Sequence, residues 1–170
     1  MRETPEELAR LQSVLDRSME SAGPHLSGII GADRRLNAEE LTQHMQGMCL
    51  LVVATVTADG RPLVGPVDGY LLHGSFWFSS GRDSVRMRHL QQRPAVSATH
   101  LPSEQLAVTV HGRAELFDLN DPAHPEQRQA MLDHYVPLQG PPFEEWLDRE
   151  NPLGARIIPE KIFTFHLSAS

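Results

Sequence analysis

Three serines and three arginines lie within the ten residues from Ser79 to Arg88, together with one glycine. The segment joins an apolar stretch to a helix start, where unpaired backbone N–H groups and the helix dipole favour an anion. Arginines in the first turns can add charge-assisted hydrogen bonds. A capped helix with ordinary solvent-exposed arginines is the competing interpretation. A phosphate site, with Arg86 and Arg88 adding charge-assisted bonds, is therefore one of the two interpretations that this segment allows.

Other catalytic and metal-binding patterns are not found in the sequence. The nine histidines form no His-Glu-x-x-His motif and no Cys/His cluster, so we expect no metal site. The serines of the segment lie in no Gly-x-Ser-x-Gly motif and are not visibly paired with a base. Carboxylate pairs such as Glu144 and Glu145 are typical of solvated helix faces. Catalytic residues therefore stay unassigned.

Composition limits the class of protein. A chain of 170 residues with 40% apolar and 22% charged residues is typical of one globular domain. A net charge of −7 argues against a general nucleic-acid binder, which needs a basic surface. The longest apolar run, Cys49–Thr57, is too short to span a bilayer, and the N-terminus has no apolar signal-type segment. We expect a cytoplasmic protein, with Cys49 as a buried, unpaired thiol.

Helices are expected at the N-terminus. Thr4, Pro5 and Glu7 form a capping-box pattern at the start of an amphipathic run that Gly23 and Pro24 would end. A second capping pattern begins at Asn37. We therefore expect a helical extension over residues 1–47, followed by a barrel domain over residues 48–170, the two forming one compact unit.

Strand-like stretches dominate the rest of the chain. β-branched and aromatic residues, separated by short turns, indicate an antiparallel arrangement. We expect a bulge at Gly112 and further helices before the last strand. The expected class is mainly β (α+β), a six-stranded antiparallel split β-barrel with flanking helices. The strands are expected over residues 49–57, 62–73, 76–80, 95–100, 105–117 and 157–167, with helices over 83–92, from 121 to about 137, and after 141.

The order of these segments resembles the pyridoxamine-phosphate-oxidase-like family, which comprises FMN-binding split barrels and their deazaflavin-dependent relatives. The matching pieces are Leu51–Val56, Asp59–Pro62, Gly65–Val67, Phe76–Ser79, Ser84–Leu90 with Arg93-Pro94, and Pro159–Phe163.

The resemblance implies a cofactor site and a homodimer. In such proteins the partner subunit completes the pocket, so Gln105 and Trp146 are candidates for contacts from the other subunit. The expected cofactor is FMN, with the deazaflavin coenzyme F420 as the alternative, and the expected activity is hydride or electron transfer to a small organic substrate. Thr55, Gly65, Pro66 and Val67 would lie beside the cofactor ring and offer it backbone donors and acceptors. Its phosphate would be held by Ser79, Ser80, Ser84, Arg86 and Arg88.

The sequence departs from the family pattern at three places. Arg86 stands where relatives usually carry lysine, which keeps the charge but changes the geometry. Asp68 and Gly69 follow Val67, where an aromatic residue is common. Arg156 is the only arginine after Arg149, so the arginine-rich C-terminal signature of true pyridoxamine-phosphate oxidation is not evident.

Two alternatives to an enzyme stay open. The barrel could bind a flavin or, less favourably, haem without turnover, with His100 or His111 as an axial ligand. It could also be an interaction protein without a cofactor. Neither alternative involves nucleic acid or a membrane.

Overall fold

Six antiparallel strands close a barrel in the computed structural model, which describes residues 3–167. Their order around the barrel is β1-β2-β3-β6-β5-β4, and β4 pairs with β1 to complete the ring. The expected six-stranded barrel with flanking helices is confirmed. The strands are β1 Cys49–Val56, β2 Pro62–Leu72, β3 Ser75–Ser80, β4 Ala95–Ser103, β5 Leu106–Asp118 and β6 Leu153–His166.

Six α-helices surround this barrel. Capping boxes begin α1 and α3, because the side chains of Thr4 and Asn37 accept from the backbone of Glu7 and Glu40. Within residues 3–167, no helix is both long and apolar enough to cross a membrane. The helices are α1 Pro5–Glu20, α2 Pro24–Ile29, α3 Ala38–His44, α4 Val85–Gln92, α5 Pro125–Gln139 and α6 Pro142–Glu150, with a 3-10 turn over Ala32–Arg34.

Proline accounts for two differences between expectation and structure. Pro24 was read as the end of a helix, but it occupies the first turn of α2, where a missing N–H costs nothing. Pro137 was expected to end α5, yet the helix continues to Gln139. The last strand also begins four residues earlier than expected, at Leu153, where it pairs with Asp118 of β5 and Ser80 of β3.

The expected irregularity at Gly112 is present, although the extra residue lies on the other strand. His111 pairs with Lys161 and Gly112 pairs with Pro159, so Glu160 is the bulged residue of β6. A Cβ atom at Gly112 would lie 2.1 Å from the carbonyl oxygen of Ile158, so the close approach requires glycine.

Two apolar clusters are important for the site. The barrel core includes Met87 and Leu90 of α4 and the inner face of α1, so α4 is part of the main core. Helix α1 is also joined to β6, because the buried Ser18 hydroxyl accepts from the Ile162 N–H at 2.8 Å. A separate, smaller cluster holds α5 and α6 to the barrel, and it contains Leu119, Met131, Phe143 and Leu147.

Candidate functional site

A cleft of about 760 Å³ opens between the end of β3, the start of α4, and helices α5 and α6. The cleft is lined by five of the residues that we expected in a site: Val67, Ser79, Ser80, Ser84 and Trp146. Asp68, which follows Val67 at the expected ring face, also lines the cleft. Further lining residues were not expected in a site, among them Arg82, Met131, Tyr135, Phe143 and Glu150.

Ser80 and Ser84 line the cleft and meet Arg86, which is not itself part of the lining, at the junction of β3 and α4. We call these three residues the cationic end of the cleft. The Ser80 hydroxyl donates to Ser84 Oγ at 3.1 Å. Ser84 caps α4 by accepting from the Met87 N–H at 3.3 Å. Arg86 Nη1 donates to Ser80 Oγ at 3.4 Å, which brings a positive charge to the serine pair.

Arg86 has no carboxylate to balance its charge among residues 3–167. Burial lowers the pKa of its guanidinium, and no neighbouring carboxylate offsets that effect. Its other contact is a stretched hydrogen bond of 3.3 Å from Nη2 to the Pro66 carbonyl. A Cβ atom at Gly65 would lie 2.9 Å from Nη2, so glycine leaves the room in which this side chain crosses β2. A half-buried, unpaired cation next to two hydroxyls is chemically suited to an anion.

Three other residues that we expected in the site make their contacts outside the cleft. The Thr55 side chain is buried and shares a hydrogen bond of 3.0 Å with His89 Nδ1, so its hydroxyl is not on the cleft. Arg88 is exposed and donates to the backbone carbonyl of Asp83. Gln105 lies in the turn before β5, at the opposite end of that strand from Asp118 and the cleft. The structure therefore does not bring Thr55, Arg88 or Gln105 to the cleft of their own chain.

An aromatic wall covers the other side of the cleft. The rings of Tyr135 and Phe143 lie 4.7 Å apart and nearly parallel, at 29°. Trp146 continues the stack, with its ring 5.4 Å from Phe143 and at 27°. Trp146 was expected to contact a partner's cofactor, and the structure places it on the cleft of its own chain.

Asp68 and Tyr135 form a hydrogen-bonded pair between β2 and α5. The phenol of Tyr135 donates to Asp68 Oδ2. Burial, together with this bond and the negative charge of Asp68, raises the pKa of Tyr135 well above its usual value. The phenol therefore stays protonated at neutral pH. We call Asp68 and Tyr135 the acceptor end of the cleft.

One outer face of the barrel carries exposed apolar side chains beside the cleft. Directly paired residues of antiparallel strands share a face, and Leu50 pairs with Asp68 while Val52 pairs with Pro66. Leu50 is 57% exposed and Val64 is 69% exposed. Exposed apolar surface of this kind is typical of an interaction site.

Residues 38–148, well over half of the chain, match the family model described as pyridoxamine 5'-phosphate oxidase. The chain belongs to this family. The ordered segments that resembled it in the sequence therefore reported the family correctly. A search of curated proteins gives no match.

Solved structures of the same fold bind different groups. The haem storage protein HutZ from Vibrio cholerae is 18% identical, with a TM-score of 0.60 over 75% of this chain and 91% of that chain. An FAD-binding protein from Mesorhizobium loti is 22% identical, with a TM-score of 0.58 over 79% and 98%. An F420 reductase is 20% identical, with a TM-score of 0.55 over 70% and 92%. At these identities the likeness concerns the fold alone.

Proposed function

We propose that this protein is a flavin- or deazaflavin-dependent oxidoreductase that passes a hydride or electrons to a small organic substrate. The observation that carries the proposal is Arg86, a half-buried guanidinium without a carboxylate partner beside the hydroxyls of Ser80 and Ser84. Membership of the family supports a flavin-type ligand at this place.

The residues of the cationic end fit the phosphate of such a cofactor. Arg86 supplies a planar donor fork, and its present hydrogen bonds of 3.3 and 3.4 Å are long enough to be exchanged for shorter charge-assisted ones. The two hydroxyls can donate to the same anion, and the N-terminus of α4 adds its dipole. Gly65, Pro66 and Val67 lie next to Arg86 or the cleft, which makes their backbone the candidate contact for the ring.

When bound, the cofactor would supply the redox chemistry, which explains why the chain has no acid/base constellation of its own. The protein would orient the ring, hold its phosphate and exclude water with the wall of α5 and α6. FMN and F420 both carry a ribityl phosphate that the cationic end fits, and we take FMN as the first candidate and F420 as the alternative.

A homodimer is part of the proposal. Leu50, Val52 and Val64 present apolar surface on the barrel face that adjoins Asp68 and Pro66. A second copy packed there would bury this surface and approach the cleft, and Gln105 could reach the cofactor only from such a copy.

Titration of the purified protein with FMN, F420 and haem, followed by absorbance and fluorescence, tests the proposal. We expect binding of FMN or F420 at one site per chain. Replacement of Arg86 by Met should weaken flavin binding about tenfold to hundredfold, because a hydrogen bond to a charged group contributes about 1.5–3 kcal/mol.

Two further variants make this titration specific. Arg86→Lys keeps the charge and should retain part of the affinity, whereas Arg10→Met, an exposed arginine of α1, should leave the affinity unchanged. A folded wild-type protein that binds neither flavin nor F420, or equal affinities in wild type and Arg86→Met, would overturn the proposal.

Haem binding without turnover is the second candidate, favoured by the setting of His111. Its Nδ1 lies 2.7 Å from the Ser97 hydroxyl on the outer barrel face, an arrangement that orients a ligating imidazole. The Nδ1 of the other candidate, His100, lies 3.0 Å from the Leu50 carbonyl. A Soret band on haem addition that disappears in His111→Ala would favour this function over the first.

A further inference from the structure

The acceptor end of the cleft has an unusual hydrogen-bonding character. The only proton of the Tyr135 hydroxyl is directed to Asp68 Oδ2, so the phenol oxygen offers lone pairs and no donor. Among the side-chain hydrogen bonds of residues 3–167, Tyr135 is the only donor to the Asp68 carboxylate. Glu150 also lines the cleft, but its carboxylate is paired with Arg149 at 3.1 Å. This side of the cleft therefore presents acceptors and negative charge.

The acceptor end is combined with aromatic surface. Tyr135 stacks on Phe143, and Phe143 stacks on Trp146, which is 41% exposed and lines the cleft. The face of an aromatic ring attracts cations, and a flat ligand can stack on it. Acceptors and ring faces in one cleft favour the same class of ligand, which is planar and carries donors or a positive charge.

The two ends of the cleft differ in charge. Arg86 is unpaired at the cationic end, while Arg82, the arginine in the lining of the cleft, is already paired with Asp118 at 2.9 Å. A cofactor phosphate at Arg86 would leave the acceptor end to the second reactant. An anionic reactant would meet the carboxylate of Asp68 there, and like charges in a partly desolvated cleft repel.

We infer that Asp68, held by Tyr135, is a specificity-determining residue that selects a planar substrate with a cationic or hydrogen-bond-donating group. The inference rests on the proposed function only in calling the ligand a substrate. The binding preference follows from the residues of the cleft alone. It assigns a role to the position at which this chain departs from the aromatic residue common in its relatives.

A matched set of three small probes tests the preference without any cofactor. Benzamidine, benzamide and benzoate have nearly the same size and shape, and they carry a positive, zero and negative charge. Binding is followed by quenching of tryptophan fluorescence, because Trp146 is exposed on the cleft while Trp77 is only 4% exposed. The expected order of affinity is benzamidine, then benzamide, then benzoate.

The variant Asp68→Asn keeps the shape of the side chain and removes its charge. It should weaken benzamidine binding about tenfold, the effect of losing one charge-assisted hydrogen bond, and should bring the three probes close to one another. Asp16→Asn on the exposed face of α1 is the matched control, and its probe affinities should equal those of the wild type. Thermal unfolding of each variant checks that it is folded.

The outcomes separate this inference from the proposed function. Equal affinities for the three probes in the wild type, or an unchanged benzamidine affinity in Asp68→Asn, would overturn it. If Asp68→Asn instead weakens FMN binding more than benzamidine binding, Asp68 contacts the cofactor and the inference is wrong. If the protein binds no flavin but keeps the probe order, only the proposed function fails.

Discussion

The cationic end of the cleft comes from one short piece of chain, whereas the acceptor end joins residues that are far apart in sequence. Ser80, Ser84 and Arg86 lie within seven consecutive residues, and α4 fixes them on the main barrel core. Asp68 and Tyr135 are 67 positions apart and meet only because α5 packs over β2. The cationic end can therefore be located from one sequence segment, while the acceptor end, where we propose that specificity is determined, depends on the fold.

The largest expected effect is a loss of stability when a buried residue that packs beneath either end of the cleft is truncated. Met87 and Leu147 are both fully buried, the first in the barrel core and the second in the small cluster under α5 and α6. Truncation of either residue to Ala should cost about 2–5 kcal/mol locally, because it removes apolar contacts and leaves a cavity. Hydrogen exchange should locate the loss throughout the barrel in Met87→Ala and mainly within residues 125–150 in Leu147→Ala. If hydrogen exchange in the barrel strands is accelerated equally in both variants, the two ends unfold as one cooperative unit.

The next effect concerns a pH-dependent contact that joins the turn between β2 and β3 to α1 and α5. His73 lies in the turn between β2 and β3, with Nδ1 3.0 Å from Glu7 of α1 and Nε2 2.8 Å from Glu126 of α5. Burial opposes the charge, but the bonds and charges of Glu126 and Glu7 prevail and raise the pKa of His73.

The sign of the effect on stability follows from that shift. A raised folded-state pKa means that the contribution of His73 is fully present below about pH 6.5, the unfolded value, and is lost as the pH rises through the higher folded value. The melting temperature of wild type should exceed that of His73→Gln at pH 6, and the difference should shrink toward pH 8. A difference that grows with pH would contradict this assignment.

A spectroscopic effect on Tyr135 should be smaller and more specific. Because burial and Asp68 raise its pKa, ionisation of this phenol in the wild type should begin only at a pH above the usual tyrosine range. Asp68→Asn removes the negatively charged carboxylate that accepts the phenol's hydrogen bond. The pKa of Tyr135 should therefore fall toward the usual tyrosine value. Absorbance at alkaline pH reports the change, and Tyr135→Phe identifies which of the two tyrosines contributes it. An identical titration in wild type and Asp68→Asn would show that the pair does not form.

The smallest expected effect concerns Arg88. Its side chain is exposed and donates to the Asp83 carbonyl, away from the hydroxyls of Ser80 and Ser84. Arg88→Met should change flavin affinity less than about threefold, as for a solvent-screened charge. A loss as large as that of Arg86→Met would mean that Arg88 turns toward the ligand, as the sequence analysis expected.

The barrel could be predicted because the sequence patterns that specify its strands and helices lie within short segments of the chain. Alternating apolar residues and short turns specify antiparallel strands, and the capping boxes at Thr4 and Asn37 mark helix starts that the structure confirms. The two misread prolines show the limit of local rules. Pro24 can end one helix or begin the next, and the sequence alone does not distinguish these roles.

The site could be predicted only in part, for the same reason. Ser80, Ser84 and Arg86 were found because a strand-to-helix junction concentrates them in one segment. Tyr135 was missed because nothing near it in sequence indicates a carboxylate partner on β2. The resemblance places the backbone of Thr55 beside the ring, and that stays a prediction. The hydroxyl of Thr55 bonds to His89 because α4 packs on β1 there, a contact that was not predicted. The surroundings of such residues depend on contacts between segments that are distant in the sequence.

A comparison of FMN with riboflavin, which lacks the phosphate, tests the cationic end most directly. Both affinities are measured for the wild type and for Arg86→Met under the same salt conditions. We expect the wild type to prefer FMN by about tenfold or more, and this preference to be largely lost in Arg86→Met while riboflavin binding stays the same. An FMN preference that survives in folded Arg86→Met would contradict the assignment of Arg86 to the phosphate.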